Sequence, residues 1–339
     1  MLGPHGIIPY LSYLLSSMPP FCYPPGHIRR LCAIQYLRSS FHSDQAMKQA
    51  EEVCMACENE GIRVLVLKSP AIGHAYYQEP GLRTGSDVDM LVAPEQYRSC
   101  REVLRGLGYD LRYDTFQVMP RFYHHACFFP RKKNQQVIEL HWRPLFLPGP
   151  GENVNPAALI ARSERIQTPN GHIRSLDPAD ALLYSAIHMS LFHEPMLRLS
   201  WVTDIQRIGE YITSRALWPK VMARSVEWQG KNAVERAVGL ARQWTGFTIP
   251  DEYDFSHWPE AGKDEKFALS HMEKRREGKE LLIHQILERM PTYPMKVRAA
   301  YHWAFRPDLI HDGKPDLHWW QYPSEYSRML YHNFQQIRR

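Results

Sequence analysis

Two aspartates stand two residues apart inside an apolar run, RTGSDVDMLVA, which occupies residues 83–93. Because alternate side chains of a β-strand point to the same face, Asp87 and Asp89 are expected to project together from one strand. Two carboxylates on a mostly buried strand repel each other and lose hydration, so they require a cation between them or an exposed strand end. Magnesium, which prefers carboxylate oxygens and substrate phosphates, meets that requirement. The alternative is that Asp87 is a hydrated turn residue that follows Gly85 and Ser86.

The residues before this run predict a strand and then a helix. Residues 63–68, RVLVLK, have the short apolar pattern of a buried strand. Ser69 and Pro70 provide helix-start chemistry ahead of the stretch AIGHAYY, since proline at a first helical position gives up an N–H that has no intrahelical partner. The local order is therefore strand, helix and a strand that carries the two aspartates.

This order and these residues resemble the nucleotidyltransferase superfamily typified by the palm of DNA polymerase beta. The stretch VLVLKSPAIGHAYYQEPGLRTGSDVDMLV at residues 64–92 is similar to a bacterial family of uncharacterised nucleotidyltransferases, whose members carry Lys-Gly at the end of the first strand and an R…DxDLLV segment. VIELHWRPL at residues 137–145 and PADALLYSAIHMSLFHEPMLRLSWVTDI at residues 178–205 look like later blocks of the same family. The resemblance covers most of the chain between residues 30 and 250.

The resemblance implies an α+β fold, with a polymerase-beta-like nucleotidyltransferase domain, built on a mixed sheet with helices, and a mainly α-helical C-terminal domain. It also implies a transferase that moves a nucleoside monophosphate from a nucleoside triphosphate, expected to be ATP, to an acceptor hydroxyl or phosphate. The expected metal is Mg²⁺, with Mn²⁺ as its substitute. The sequence does not choose among a small molecule, a peptide and a protein as the acceptor.

Members of the superfamily usually supply a third carboxylate from a later strand, and Glu139 is the candidate in this chain. In QVIELHW, residues 136–142, Val137, Glu139 and His141 share one strand face. Glu139 is expected to join Asp87 and Asp89 as a metal ligand, or to accept the proton of the attacking hydroxyl. The alternatives are a hydrated strand face for Glu139 and structural hydrogen bonding for His141.

The candidates for binding the nucleotide phosphates are Lys68, Ser69, Arg83, Ser86 and His141. Lys68 and Arg83 are expected to neutralise the charge that develops on the transferred phosphorus group. Ser69 departs from the Lys-Gly of the family, which removes room for close backbone approach. This departure leaves two alternatives open, namely a nucleotide-binding or interaction module without transfer activity, and a kinase on the same scaffold.

Three segments are expected along the chain. They are an N-terminal helical extension over residues 1–42, a catalytic domain over residues 43–150 and a mainly helical domain over residues 151–339 that completes the substrate cleft. Prolines and glycines at residues 144–151 mark the second boundary. Separate helices are expected at residues 28–39 and 43–59, and further strands near residues 109–118, 124–130 and 136–142.

Asp204 is notable in the helical segment because its carboxylate lies within an apolar helix face. Asp204 lies three residues after Trp201 and four before Ile208, and an unpaired carboxylate there would be costly. His188 and Lys68 are its candidate partners. The functional interpretation is that Asp204, Arg198 and His188 frame the substrate cleft, and the alternative is a buried structural ion pair.

Composition fits such an enzyme and argues against other classes. The net charge of +5 on 339 residues is small, so a dedicated nucleic-acid binder is not indicated. No apolar run reaches the roughly 18 residues that span a bilayer, so a cytoplasmic protein without a membrane partner is expected. Adjacent histidines on a strand point to opposite faces, so His124 and His125 are not expected to chelate zinc.

Overall fold

The computed structural model describes residues 6–262, apart from short gaps at 17, 20, 22, 112–113, 119–122, 146–150, 152–153 and 193–196, and eight positions beyond residue 262. The part of the expected helical domain beyond residue 262 therefore lies, apart from those eight positions, outside the described residues. Among those that are described, no helix is both long enough and apolar enough to cross a membrane.

A mixed seven-stranded sheet forms the centre of the described chain. In chain order its strands are β1 (Leu65–Val66), β2 (Asp87–Leu91), β3 (Tyr109–Leu111), β4 (His125–Pro130), β5 (Val137–His141), β6 (Glu164–Thr168) and β7 (Gly171–Ser175). Their order in space is β3-β4-β5-β2-β1-β7-β6. The β2–β5 and β1–β7 pairs are parallel and the other pairs are antiparallel. The sheet and its helices confirm the expected α+β fold.

The helices lie before, between and after the strands. In chain order they are α1 (Ile8–Ser16), α2 (Gly26–Asn59), α3 (Ala71–Tyr76), α4 (Tyr97–Gly106), α5 (Thr115–Val118), α6 (Pro156–Ala161), α7 (Pro178–Ile187), α8 (Leu199–Ser214), α9 (Trp218–Trp228) and α10 (Lys231–Thr245). A π-helical turn, His188–Phe192, follows α7, and short 3₁₀ turns occupy Pro80–Leu82, Pro94–Gln96, Asp251–Tyr253 and Phe255–His257.

Three expectations about these elements are wrong. The helices expected at 28–39 and 43–59 form one continuous helix, α2, which crosses the expected boundary at residue 42. Instead of one strand over 109–118, a short strand is followed by α5, in which Phe116 stacks on Tyr97 with ring centroids 4.2 Å apart. The sheet also continues past residue 150, because the hairpin β6–β7 adds to the edge of β1.

The two faces of the central strands have different surroundings. Val88 and Met90 of β2 and Ile138 and Leu140 of β5 are fully buried in an apolar cluster with residues of α2 and α4. The alternate residues of the same strands, Asp87 and Asp89 of β2 among them, therefore face the opposite side, towards α7 and α8. Alternation thus places all the polar side chains of β2 and β5 on one face.

An aspartate caps the N-terminus of α7. Asp177 precedes Pro178, and its carboxylate accepts hydrogen bonds from the backbone N–H groups of Ala179 and Asp180 at 2.9 and 3.1 Å. These bonds satisfy two of the N–H groups that the first turn of a helix leaves free. The cap fixes where α7 begins, and α7 then packs against α8, α9 and α10.

Candidate functional site

Strand register brings Asp89 and Glu139 side by side. In the parallel pair β2–β5, Asp89 is opposite Glu139 and Asp87 is opposite Val137. Asp89 is completely buried, whereas Asp87 and Glu139 are half-buried. Three acidic groups therefore lie on one face of two neighbouring strands, as the alternation of residues in both segments predicted.

Asp89 is held by two basic side chains. The Lys68 Nζ donates to Asp89 Oδ1 at 3.0 Å, and His141 Nε2 lies 3.2 Å from the same oxygen. The other oxygen, Asp89 Oδ2, is buried and has no hydrogen-bond partner among the described residues. A buried carboxylate oxygen without a donor is costly unless a cation or a water satisfies it. Asp89 thus retains one coordinating atom for a further positive group.

The two aspartates differ in proton affinity. Burial, and then the negative charges of Asp89 and Glu139, raise the pKa of Asp87 above its ordinary value. Burial alone would also raise the pKa of Asp89, but the Lys68 ammonium and the hydrogen bond from His141 outweigh it and hold this pKa well below the usual range. Burial likewise raises the pKa of Glu139, but His141 and His125 reverse the effect and lower it. Asp87 is therefore the one carboxylate of the three whose pKa is raised above its ordinary value.

A cavity of about 380 Å³ opens beside the aspartates. Eight of the eleven candidate site residues line it, and these are Lys68, Ser69, Arg83, Ser86, Asp87, Asp89, His188 and Arg198. The remaining lining residues are Gly6, Thr84, Gly85, Ser200 and Trp201. The cavity thus lies between the loop that precedes β2 and the start of α8, and it brings together residues from the expected catalytic and helical segments.

Glu139, His141 and Asp204 do not line this cavity. Glu139 lies beside Asp89, but its Oε2 faces His141 Nε2 at 3.6 Å and His125 Nε2 at 3.8 Å. His141 is almost completely buried between the two carboxylates, so direct contact with a nucleotide phosphate is not its role in this structure. The structure thus shows the alternative considered for His141, a structural hydrogen bond, here with Asp89.

Asp204 forms a buried ion pair with Arg83, and neither His188 nor Lys68 is its hydrogen-bonding partner. Arg83 Nε and Nη2 reach the two Asp204 oxygens at 3.1 and 3.0 Å, and the Tyr77 hydroxyl donates to Oδ1 at 2.7 Å. The structural ion pair, considered as the alternative in the sequence, is therefore correct. The fork geometry ties α8 to the loop that carries residues 83–86.

Arg198 also lines the cavity, and its guanidinium forms no ion pair with any of the described residues. Its guanidinium lies over the Trp201 ring, with the Cζ atom 5.2 Å from the ring centroid. Lys68 and Arg83, by contrast, form ion pairs with Asp89 and Asp204, respectively. His188 packs edge-on against Trp201, with ring centroids 5.4 Å apart. The Trp201 ring thus contacts two candidate cleft residues, Arg198 and His188. Its place in an apolar helix face had indicated only a packing role.

Close packing explains the glycine that precedes Ser86. A Cβ atom added to Gly85 would lie 2.6 Å from the Cβ of Ser69 and 2.4 Å from its Oγ, which is closer than atoms can approach. The loop before β2 therefore rests directly on Ser69, and both line the cavity. Helix α3, which follows Ser69 and Pro70, contains only six residues. Its N-terminus therefore adds little to the phosphate binding expected at Ser69.

Sequence reasoning missed His125 and Cys127. They are two residues apart on β4 and pair with His141 and Glu139 on β5. The signal was available, because a hairpin centred near Lys133 pairs HxC on one strand with ExH on the other. The rings of the adjacent pair His124–His125 lie close together, with centroids 4.3 Å apart. The expectation that these two histidines point apart is wrong because His124 lies just before β4 and is not bound by strand alternation.

The model of the family described as "Uncharacterised nucleotidyltransferase" matches residues 1–246 of the chain. This protein belongs to that family. The match includes β2, β5 and the residues of α8 that border the cavity, so the site described above lies within the matched residues. As a member of this nucleotidyltransferase family the protein is a transferase, and its general reaction is nucleotidyl transfer.

Two solved structures show a distant likeness to this family member. One is the antibiotic-resistance factor ANT(2'')-Ia, with 8% identity over 55% of this chain and 92% of that chain and a TM-score of 0.35. The other is an antigenic nucleotidyltransferase-like protein from Paracoccidioides brasiliensis, with 11% identity over 57% of this chain and 93% of that chain and a TM-score of 0.32. At these TM-scores neither likeness bears on substrate or mechanism. A comparison with curated proteins finds no match.

Proposed function

We propose that this nucleotidyltransferase is magnesium-dependent and transfers a nucleoside monophosphate from a nucleoside triphosphate, ATP first among them, to an acceptor hydroxyl or phosphate. The observation that carries the proposal is that Asp87 and Asp89 line one cavity, which is also lined by an arginine without an ion pair among the described residues. Carboxylates and a free guanidinium side by side suit a bound metal ion and the phosphates it accompanies.

The residues present fit a divalent magnesium ion. Asp89 Oδ2 is buried without a donor, and Asp87 brings a second carboxylate to the same cavity. Glu139, directly beside Asp89, is the third candidate ligand of the set. Bound magnesium supplies charge neutralisation at the phosphates and orients the attacking and leaving oxygens. Mn²⁺, which accepts the same oxygen ligands, is the expected substitute.

The protein's own groups account for the remaining requirements of an in-line displacement. In that reaction the acceptor oxygen forms a bond to the α-phosphorus, the bond from the α-phosphorus to its bridging oxygen breaks, and pyrophosphate leaves. Arg198, Ser69 and Ser86 line the cavity, and we assign them to the triphosphate. Asp87 lines the cavity, and burial together with the charges of Asp89 and Glu139 raises its pKa, so we assign to it the proton of an attacking hydroxyl.

Lys68 and the Arg83–Asp204 pair act in this proposal by positioning other groups. Lys68 holds Asp89 in its ionised form through the 3.0 Å hydrogen bond, and Arg83 anchors the loop of residues 83–86 to α8. His188 borders the cavity on the side of Trp201. This differs from the sequence-based expectation that Lys68 and Arg83 contact the transferred phosphorus group directly.

A second cavity offers space for an acceptor. It has a volume of about 260 Å³, shares Gly6, Thr84 and Gly85 with the first, and is also lined by Arg38 and His42 of α2. An acceptor in this position would approach the aspartates from the side of the N-terminal helices. The basic lining suits an acceptor with a phosphate or carboxylate group, whether it is a small molecule or part of a peptide or protein.

The decisive experiment supplies the protein with Mg²⁺ and ATP labelled at either the α- or the γ-phosphate, with cell lysate as the source of acceptors. Label from the α-phosphate together with released pyrophosphate supports the proposal. Label from the γ-phosphate alone identifies a kinase, and retained nucleotide without any transfer identifies a binding module. Repetition with the other three nucleoside triphosphates tests the choice of ATP.

The matched control for this assay is Asp110→Asn. Asp110 is an exposed aspartate of β3 that pairs with Arg131 and lies at the far edge of the sheet from β1. Asp87→Asn is expected to abolish transfer, whereas Asp110→Asn is expected to keep it. Equal transfer by both variants would refute the assignment of Asp87.

A further inference from the structure

The hairpin β4–β5 carries four metal-ligating side chains at paired positions. His125 is opposite His141, and Cys127 is opposite Glu139. Residues two apart on a strand share a face, and directly paired residues of neighbouring strands do so as well. All four side chains therefore project from the same face of the hairpin, behind Asp89 as seen from the cavity.

The spacing of the ligand atoms suits one small tetrahedral ion. Glu139 Oε2 lies 3.6 Å from His141 Nε2 and 3.8 Å from His125 Nε2, distances too long for good hydrogen bonds. Two ligand atoms bound to tetrahedral zinc at the usual bond lengths are separated by about 3.3 Å. His125, Cys127 and Glu139 also have their ligand atoms within 4.8 Å of one another. A shift of a few tenths of an ångström would bring Glu139 Oε2 to this separation from both histidine nitrogens.

A neighbouring imidazole supports the free nitrogen of His125. His125 Nδ1 lies 3.0 Å from His124 Nε2, within hydrogen-bond distance. When His125 donates through Nδ1, its Nε2 carries the lone pair and faces Glu139 and His141. A hydrogen bond at the second ring nitrogen is the arrangement that orients metal-bound histidines in proteins. The hairpin thus provides a ligand together with the group that fixes its tautomer.

We propose that His125, Glu139 and His141 bind a divalent transition-metal ion of the zinc class, with Cys127 on the same face as the fourth ligand. Two imidazole nitrogens with a carboxylate and a thiolate select zinc, cobalt or nickel over magnesium, which prefers oxygen ligands and water. On binding, the ion would replace the proton through which His141 Nε2 contacts Asp89, and that proton would be released to solvent. The ion would cross-link β4 to β5 and hold Glu139 in place beside Asp89. This site requires no nucleotide, so it goes beyond the proposed transfer reaction.

Cobalt(II) is the probe for this site, because its visible absorption is intense in four-coordinate surroundings and includes a sulfur charge-transfer band when a thiolate binds. The full-length protein, stripped of metal by a chelator, is titrated with cobalt(II) in the absence of nucleotide. We expect about one equivalent to bind with a tetrahedral spectrum and to be displaced by zinc. His125→Gln should weaken cobalt binding at least about tenfold, and Cys127→Ser should remove the charge-transfer band.

The control variant is His172→Gln, which alters a partly exposed histidine of β7 that pairs with Glu58 instead. It should bind cobalt like the wild type. An octahedral spectrum, no binding, or equal weakening by His125→Gln and His172→Gln would overturn the proposal. If His125→Gln does not fold, X-ray absorption of the zinc-loaded wild type decides. Nitrogen ligands from two imidazoles support the site, and oxygen ligands alone overturn it.

The magnesium-dependent transfer assay is run on the same preparations. Cobalt binding without transfer supports this metal site and counts only against the proposed reaction. Transfer without cobalt binding overturns the metal site and leaves the proposed reaction unaffected.

Discussion

Asp89 and Glu139 are directly paired residues on adjacent parallel strands, yet only Asp89 reaches the cavity. The two carboxylates have different partners. Asp89 contacts Lys68 and His141, whereas Glu139 faces His125 and His141. The hydrogen bond from Lys68 decides which aspartate is the better target for mutation. A change at Asp89 leaves Lys68 without its counter-charge, and a change at Asp87 does not.

Asp87→Asn should reduce nucleotidyl transfer by about 100-fold or more, since one carboxylate ligand of the metal is lost. Its stability should be unchanged or slightly higher, because burial and the charges of Asp89 and Glu139 already disfavour the ionised form. Asp89→Asn should also abolish transfer but lower the free energy of unfolding by about 3 kcal/mol, as expected when one partner of a buried ion pair is removed. Urea unfolding and initial rates on both variants check this. Equal loss of stability in the two would contradict the difference in their surroundings.

Asp204→Asn should destabilise the protein by about 3 kcal/mol, because the Arg83 guanidinium would remain buried with a weakened acceptor. The double variant Arg83→Met with Asp204→Leu should recover part of that loss, since both charges are removed together. Urea unfolding of Arg83→Met, Asp204→Leu and the double variant measures the coupling. Additive losses would show that the two side chains do not depend on each other.

The double variant also tests how the pair affects catalysis. Arg83 fastens the loop of residues 83–86 to α8, so a stable double variant should still lose activity through misplacement of that loop. We expect a higher KM for the nucleotide with a smaller change in kcat. An unchanged KM would show that the loop is held by other contacts.

The strand face of Asp87 and Asp89 could be predicted from the sequence because alternation is local and apolar neighbours fix the buried side. The strand face of Glu139 also followed from its own alternation, but its direct pairing with Asp89 on a parallel neighbour did not. The partners of Asp204 could not be predicted, since Arg83 and Tyr77 lie more than a hundred residues away in the chain. Nothing in local pattern distinguishes those two from Lys68 or His188.

The hairpin β6–β7 was missed for a related reason. Residues 164–175 read ERIQTPNGHIRS, in which only Ile166 and Ile173 are apolar. An edge hairpin needs few apolar residues, because one strand of the pair has a neighbour on one side only. The hairpin joins the sheet through the pairing of Val66 with Ser175. The local sequence pattern around either residue does not predict this pairing.

Lys68→Gln should move the acid limb of the rate profile to higher pH. The Lys68 ammonium is the main group that counteracts the effect of burial and holds the pKa of Asp89 well below its usual range. Lys68 also lowers the pKa of Asp87, so without that charge the pKa of both aspartates rises and their ionised forms are lost sooner as pH falls. The pH dependence of kcat/KM at saturating magnesium measures the shift. Arg101→Gln, which removes a cation from the Asp114 pair away from the cavity, should leave the acid limb in place.

Glu265→Gln should stabilise the protein above neutral pH and have little effect in mild acid. Glu265 is completely buried, its Oε1 accepts the backbone N–H of Ala233 in the first turn of α10 at 3.1 Å, and burial raises its pKa from 4.5 to about 7. The folded state therefore binds the proton more tightly than the unfolded state, and stability falls as pH rises between these two values. Glutamine keeps a carbonyl acceptor for Ala233 without a charge. The gain should be about 1–3 kcal/mol near pH 8 and close to zero near pH 5. Urea unfolding of both proteins at the two pH values checks this, and an equal gain at both would show that packing, not proton linkage, is responsible.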